Sequence, residues 1–400
     1  MPNAALLSLL RLTLADGVGP VLGRRLLESF GSADRACTAT PAELERVQGI
    51  GPAKARRIWQ SLRAADDPLT REIDLADKLC ARFIALGDAD YPALLAECSD
   101  APLVLRVRGA SPCPPGSYPI AVVGTRQATH YGVEQAERFS QALAQAGLVI
   151  VSGGARGVDS AAHRAAARLS SPTVIVTGCG LSHCYPPENA DLFDKVLSAG
   201  GTLLSELPLH APPAAENFPA RNRIIVGLSL GVLVIEAPRG SGALITARVA
   251  LDEYNREVMA IPGRIDSPAS EGSNDLIRRG EAAMVTSPGD VIEGLEASAR
   301  HLFENRHAAR YQSSLNEPGP EPVSETDLGD RSTAVPNRIT KTSAAQQAIL
   351  AALSTPLTID ELCRATGLEP GVVQAESMIL EVRRAVVREG SKLTARQISH

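Results

Sequence analysis

One stretch, Ile150 to Ala162, constrains this chain more than any other: it reads as a buried strand, a glycine-rich turn and the start of a helix. Leu148, Val149, Ile150 and Val151 form an apolar, β-branched-rich run without alternation, the pattern of a central strand in a parallel sheet covered on both faces. Ser152, Gly153, Gly154, Ala155, Arg156 and Gly157 follow at its carboxyl end. Asp159 and the apolar spacing after it mark a helix start. Glycines here let the backbone turn tightly and bring its N–H groups close to a ligand. A strand end, a glycine turn and a helix N-terminus together favour a phosphate, and Arg156 adds a guanidinium able to contact it bidentately. Because a plain strand-to-helix connection also uses glycine, the other strand ends have to decide between the two.

From Pro119 the chain alternates strand and helix patterns. The strand candidates are Ile120 to Val123, Leu148 to Val151, Thr173 to Val176, Thr202 to Leu204, Gly231 to Ile235 and Glu257 to Ala260. Such alternation predicts an α/β, extended Rossmann-like, doubly wound parallel sheet, whose ligands bind at the carboxyl ends of the strands where the winding switches direction. Those ends carry Gly124, Thr125 and Arg126; Ser152 to Gly157; Gly178, Gly180 and Tyr185-Pro186; Ser205-Glu206 and then Phe218-Pro219-Ala220-Arg221-Asn222-Arg223; and Glu236-Ala237 with Arg239, Gly240, Ser241, Gly242 and Thr246. Arg126, Arg156, Arg221, Arg223 and Arg239 are thus expected on one rim, as a ligand with repeated phosphates requires.

Upstream, Leu6 to Leu62 is helical, with Gly17-Val18-Gly19-Pro20 before one helix and Gly49-Ile50-Gly51-Pro52 before another. This is the signature of helix-hairpin-helix modules. Either the hairpins meet DNA phosphates, with Arg24, Arg25, Lys54, Arg56 and Arg57 in support, or they pack a small helical domain. Between Ala64 and Pro119, Leu79 to Leu86 and Leu103 to Val107 look like short strands extending the following sheet. After Leu295 the composition changes; Glu317 to Thr340 is rich in proline, glycine, serine and charge and reads as a disordered linker. Ala344 to Leu353, Thr358 to Thr366 and Pro370 to Arg384 read as helices, with Val386-Val387 and Lys392-Leu393 as a small wing. The expected domains are 1–66 (helix-hairpin-helix, SAM-like), 67–295 (extended Rossmann), 296–341 (linker) and 342–400 (winged helix).

Charge and cysteine usage restrict the function further. A formal net charge of -5 with six Phe, six Tyr and one Trp excludes a chain that coats duplex DNA by bulk charge or lines a long stacking groove, so a nucleic-acid site has to be concentrated. Seven scattered cysteines, without a Cys-x-x-Cys pair, fit reduced thiols in the cytoplasm. Cys179, His183 and Cys184 lie close together, but nothing completes a four-ligand set, so no metal and no cofactor is expected. No apolar run approaches membrane-spanning length.

Taken together, Gly124-Thr125-Arg126, Ser152 to Asp159 with Ala162-His163, Ser205-Glu206, Phe218 to Ile225, Glu236-Ala237, Ser241 to Ala247 and Pro262-Gly263 resemble the DprA/Smf family of DNA-processing proteins, over roughly residues 80 to 290. The resemblance implies an extended Rossmann domain that binds and protects single-stranded DNA and loads RecA on it during natural transformation. It also implies a homodimer formed around Ser273 to Gly280. By motif, Arg126, Ser152, Gly153, Gly154, Ala155, Arg156, Arg221, Asn222 and Arg223 hold the DNA backbone, joined by Gly124, Thr125, Arg239, Ser241 and Thr246 from the neighbouring strand ends. Tyr185 and Phe218 are stacking candidates from their loop positions. Family members often carry a basic residue after the Tyr-Pro of the third loop, where this chain has Pro187. The C-terminal part resembles the family's winged-helix tail. Its last helix, with Gln374, Glu376, Ser377 and Glu381 before Arg383 and Arg384, suits a protein contact better than base reading.

Enzyme readings meet chemical objections. Ser152, Asp159 and His163 suggest a nucleophile with its base, but Ser152 lies outside a Gly-x-Ser-x-Gly elbow. The alternative is a nucleotide-processing enzyme of the lysine-decarboxylase-like Rossmann group. That group has a catalytic glutamate after its glycine loop, and Arg239 to Thr246 carries no such acid. Dinucleotide binding fails because the first strand leads into Gly124-Thr125-Arg126 in place of Gly-x-Gly-x-x-Gly.

Overall fold

The computed structural model describes residues 3–64, 68–295, 344–353, 355–368, 373, 377, 380, 386–389 and 392–395. The chain divides into two compact units, Met1–Leu295 and Glu296–His400. The expected linker at 317–340 lies outside the described residues, as does most of the expected helix at 370–384.

The first unit opens with helices α1 (Ala4–Leu14), α2 (Pro20–Phe30), α3 (Ala33–Thr38), α4 (Pro41–Leu44), α5 (Pro52–Leu62) and α6 (Pro68–Leu79). Gly19 and Gly51 stand at the N-caps of α2 and α5, with proline as the first helical residue in each, where its missing N–H costs nothing. Leu10, Leu12, Leu26, Leu44, Ala55 and Ile58 bury one shared core, which extends onto Leu103 and Val104 of the sheet domain. The basic residues after each hairpin reach the opposite one. Arg25 Nη1 donates to the Gln48 carbonyl at 3.2 Å, and Arg57 Nε stands 3.5 Å from Asp16 Oδ2. Both side chains are thus engaged within the helical tandem.

Strands β1 (Ala81–Ala85), β2 (Val104–Gly109), β3 (Tyr118–Val123), β4 (Leu148–Ser152), β5 (Thr173–Val176), β6 (Thr202–Ser205), β7 (Gly231–Val234), β8 (Glu257–Ala260) and β9 (Ala283–Met284) form one sheet in the order β1-β2-β6-β5-β4-β3-β7-β8-β9. Helices α7 (Ala93–Ala96), α8 (His130–Gln145), α9 (Val158–Arg168), α10 (Ala190–Ser198), α11 (Asn217–Gly227), α12 (Gly242–Asp252) and α13 (Glu271–Arg278) connect the strands. From β6 through to β9 the pairing is parallel, while β1 and β2 run antiparallel at the edge and extend the sheet as the sequence suggests. The chain winds outward from β3 through β4 and β5 to β6, then crosses to β7 on the other side of β3. This switch opens a crevice between the carboxyl ends of β3 and β7. The apolar runs are buried because both faces are covered: β3, β4, β5 and β7 present Val123, Val151, Val176 and Val234 to the core. Sequence periodicity does not reach β9, which is two residues long.

In the second unit a helix at Ala344–Ala352 and another at Ile359–Thr366 accompany a three-stranded antiparallel sheet in the order β10 (Leu357–Thr358), β12 (Lys392–Ala395), β11 (Val386–Glu389). Ile349, Leu353, Leu362, Val386 and Leu393 form its core. Among the described residues no helix is long and apolar enough to cross a membrane.

Candidate nucleic-acid interface

The residues after β3, β4 and β7 gather at the switch point around a cleft of about 620 Å³ lined by Gly124, Thr125, Arg126, Ala155, Arg156, Arg221, Asn222, Arg239, Ser241 and Thr246. Each reaches it for a local reason. The Thr125 N–H donates to the Glu236 carbonyl at 2.7 Å, and the Glu236 carboxylate accepts from the Thr129 N–H and hydroxyl at 2.8 and 2.7 Å. That buried acid pins the loop carrying Arg126 to the end of β7. Gly157 has φ +72°, and a Cβ there would stand 2.4 Å from the Thr125 carbonyl oxygen. Only glycine lets the turns after β3 and β4 come this close.

Arg221 projects from α11 under the glycine turn and is 7% exposed. Its Nη1 donates to the Gly153 carbonyl at 2.8 Å and also to the Val176 carbonyl, while its Nε is buried without a partner. Burial pushes its pKa down to about 10, opposed by the nearby Asp159, so it remains a cation at neutral pH. A Cβ at Gly153 would stand 2.5 Å from Arg221 Nη2, which explains the glycine at that position. Ser241, the N-cap of α12, lines the same cleft with its hydroxyl buried and unpaired, so the positive end of that helix also faces the cleft.

A second, narrow hollow adjoins Arg126, Arg156 and Arg221 and is lined by Gly153, Tyr185 and Phe218 as well. The rings of Tyr185 and Phe218 lie 5.0 Å apart at 42°, and the Arg126 guanidinium sits 5.5 Å from the Phe218 centroid. Tyr185 is exposed, so an aromatic edge is available beside the cationic cleft.

Several expected contacts turn out otherwise. The Ser152 hydroxyl is fully buried and donates to the Val122 carbonyl at 2.6 Å, so it is not offered to a phosphate. Gly154 is buried, and a Cβ there would meet Ile175 and Phe193 at 2.7 and 3.0 Å; it packs the turn from behind. Arg223, two residues beyond Arg221 on α11 and so on nearly the opposite side of that helix, faces away from the cleft. Its Nη1 donates to the Asp100 carbonyl at 2.7 Å and its Nη2 pairs with Glu206. The Thr125 hydroxyl accepts from the Gln127 N–H at 3.2 Å, and that of Thr246 donates to the Gly242 carbonyl at 3.2 Å, so both shape the cleft wall. The Gly153 and Ala155 N–H groups donate to Asp159 Oδ2, each at 3.2 Å. An internal carboxylate thus holds part of the turn that sequence reading offers to a phosphate. Among residues the sequence reading did not single out, Gln127 and Pro238 also line the cleft. They carry no charge or motif that marks them in advance.

His163 lies in α9, fully buried, with Nδ1 2.8 Å from the Thr173 hydroxyl and Nε2 without a partner. Burial first, and then the positive Arg221, push its pKa down to about 3. The unfolded chain takes up that proton near the ordinary histidine value of about 6.5. The stabilisation is therefore complete above about pH 6.5 and is lost as pH falls toward 3, by up to about 1.4 kcal/mol per pH unit. Thermal melts at about pH 7 and about pH 5 should show a loss of stability in the parent that is smaller in His163→Leu. Equal losses in the two would assign the effect to other groups.

Residues 82–296 match the family model of DNA recombination-mediator protein A, residues 9–64 that of a SAM-like helix-hairpin-helix tandem, and residues 332–392 that of the DprA winged helix domain. Protein Smf of Synechocystis is 34% identical over 391 residues, covering 93% of this chain and 94% of that protein. Protein Smf of Escherichia coli K12 is 43% identical over 248 residues, covering 61% of this chain and 65% of that protein, slightly under two thirds of its length. Among solved structures, DNA processing protein A from Streptococcus pneumoniae aligns with a TM-score of 0.61 at 33% identity, over 73% of this chain and 98% of that chain.

Proposed function

This chain belongs to the DNA recombination-mediator protein A family, also called DprA/Smf, and from that premise we propose that its cleft holds single-stranded DNA without chemically altering it. The observation that carries this reading is the convergence of Arg126, Arg156, Arg221 and Arg239 on one cleft from separate strand ends and α11. A flexible strand can bend its phosphates to such a curved set of cations, whereas a duplex presents them on a stiff helix. Tyr185 and Phe218 supply an aromatic edge that unpaired bases can stack on. The commitments of Ser152, Asp159 and His163 to other partners favour binding over catalysis.

The same reading makes the chain a cytoplasmic homodimer, joined around Ser273 to Gly280, that protects incoming strands and loads RecA on them. Fluorescence anisotropy with single- and double-stranded oligonucleotides across a salt series tests the binding. Single strands are expected to bind more tightly, with log K falling against log salt at a slope near −3, since each of about four phosphate contacts contributes about −0.7. Equal affinity for duplex would overturn the single-strand preference, and a flat salt response would exclude the cleft as a phosphate site. Sedimentation of the purified chain, and RecA filament growth on its DNA complex, read the dimer and the hand-over.

A further inference from the structure

Carboxylates approach two of the rim arginines. Glu188, in the turn Pro187–Asn189, is hydrogen-bonded and ion-paired to Arg156 Nε, and Glu271, the first residue of α13, stands 3.3 Å from Arg239 Nε. Neither position is loose. Asn189 is 7% exposed and donates Nδ2 to the Gly154 carbonyl at 2.9 Å and to the Ser160 hydroxyl at 2.8 Å, which docks the turn carrying Glu188 onto the glycine loop. The Gly272 and Ser273 N–H groups donate to the Ala237 carbonyl at 2.8 and 3.2 Å, which docks α13 onto the strand end that leads to Arg239. A Cβ at Gly272 would stand 2.7 Å from that carbonyl oxygen, so the approach depends on glycine. The other two cleft cations are engaged differently: Arg126 lies over Phe218, and Arg221 donates to main-chain carbonyls.

We propose that Glu188 and Glu271 compete with the phosphates of the bound strand for Arg156 and Arg239, closing on these two arginines whenever their phosphates lift off and thereby setting how fast the strand is released. This rests on the single-strand reading above. The four side chains are between 45% and 76% exposed, and pairs this solvated are weak enough to open for a phosphate. A phosphate also contacts guanidinium bidentately. Yet each carboxylate is tethered beside its arginine, at an effective concentration on the order of millimolar or more. It therefore competes with a departing phosphate for the freed cation. Arg126 and Arg221 hold the strand while Arg156 and Arg239 let go of it, which suits a protein that has to pass DNA on.

The experiment uses the full chain and a labelled oligothymidylate of about 30 nucleotides, long enough to cross a site of several phosphates. Dissociation is followed by stopped flow after adding excess unlabelled strand, for the parent, Glu188→Gln, Glu271→Gln, the double variant and Arg126→Ala. Each glutamine is expected to slow release about two- to fivefold, the usual worth of an exposed pair. It should also steepen the salt slope by up to about 0.7, because no tethered carboxylate then replaces the leaving phosphate. Release as fast as the parent's in both glutamine variants, with Arg126→Ala still weakened, overturns the competitor role and leaves the binding reading standing. Parent-like binding by Arg126→Ala overturns both.

Discussion

Arg126→Ala is expected to weaken single-strand binding about ten- to a hundredfold, the cost of removing a charge-assisted contact of about 1.5–3 kcal/mol. Its salt slope should shrink by about 0.7, one phosphate contact on a single strand. The loss should be similar for all base sequences, since a phosphate contact carries no sequence information. Arg126 suits this test because it is exposed and its guanidinium lies over the Phe218 ring, so its removal opens no core cavity. Arg221→Ala would be ambiguous by comparison, because that side chain also supports the glycine turn through the Gly153 carbonyl. An Arg126→Ala protein with the parent's melting temperature, affinity and salt slope would place the phosphate contacts elsewhere.

The second large effect is on stability. Glu72→Ala should destabilise the first unit by about 3–5 kcal/mol, because it leaves a buried guanidinium without its counter-charge. Arg106 and Glu72 are 1% and 0% exposed, with Arg106 Nε 2.8 Å from Glu72 Oε1. Arg106 Nη1 also donates to the Glu206 carbonyl at 2.7 Å, and Glu72 accepts from the Leu209 N–H at 3.0 and 3.1 Å. This cluster ties together α6, β2 and the loop after β6, three elements whose sequences show no mutual signal. For a unit of this size the loss corresponds to a fall in melting temperature of roughly 10 °C. The double variant Glu72→Leu with Arg106→Met is expected to recover only part of it, since an apolar pair needs no desolvation of charge but leaves the Leu209 N–H and the Glu206 carbonyl without these partners. A single variant that melts with the parent would show that the pair adds nothing.

Much of the architecture was legible beforehand because it depends on local regularities. Thr173 to Val176 and Glu257 to Ala260 are strands with the bounds that the apolar runs suggest, and the other expected parallel strands differ by one or two residues at their ends. Those runs are short, β-branched and separated by helical spacing, and a parallel sheet buried on both faces is the arrangement that hides them. Helix α6 and strand β9 were less visible. The first lies in a stretch of mixed pattern, and the second is too short for a period to develop.

The site divides along a physical line. What the sequence determined by itself is the placement of glycine turns and arginines at the carboxyl ends of the strands, because apolar period and turn chemistry are properties of neighbours in the chain. Which of those groups face a ligand was decided by the tertiary structure alone. Arg221 and Arg223 are two residues apart on one helix, yet the first reaches the cleft floor and the second an ion pair with Glu206. Ser152 ends a central strand, but its hydroxyl is held by Val122 on the strand alongside. Hydrogen-bonding groups take the nearest partner the folded chain supplies. The partners of Arg223 (Asp100), Arg156 (Glu188) and Arg239 (Glu271) arrive from other elements, so the pairing exists only once the sheet, its loops and α13 have come together.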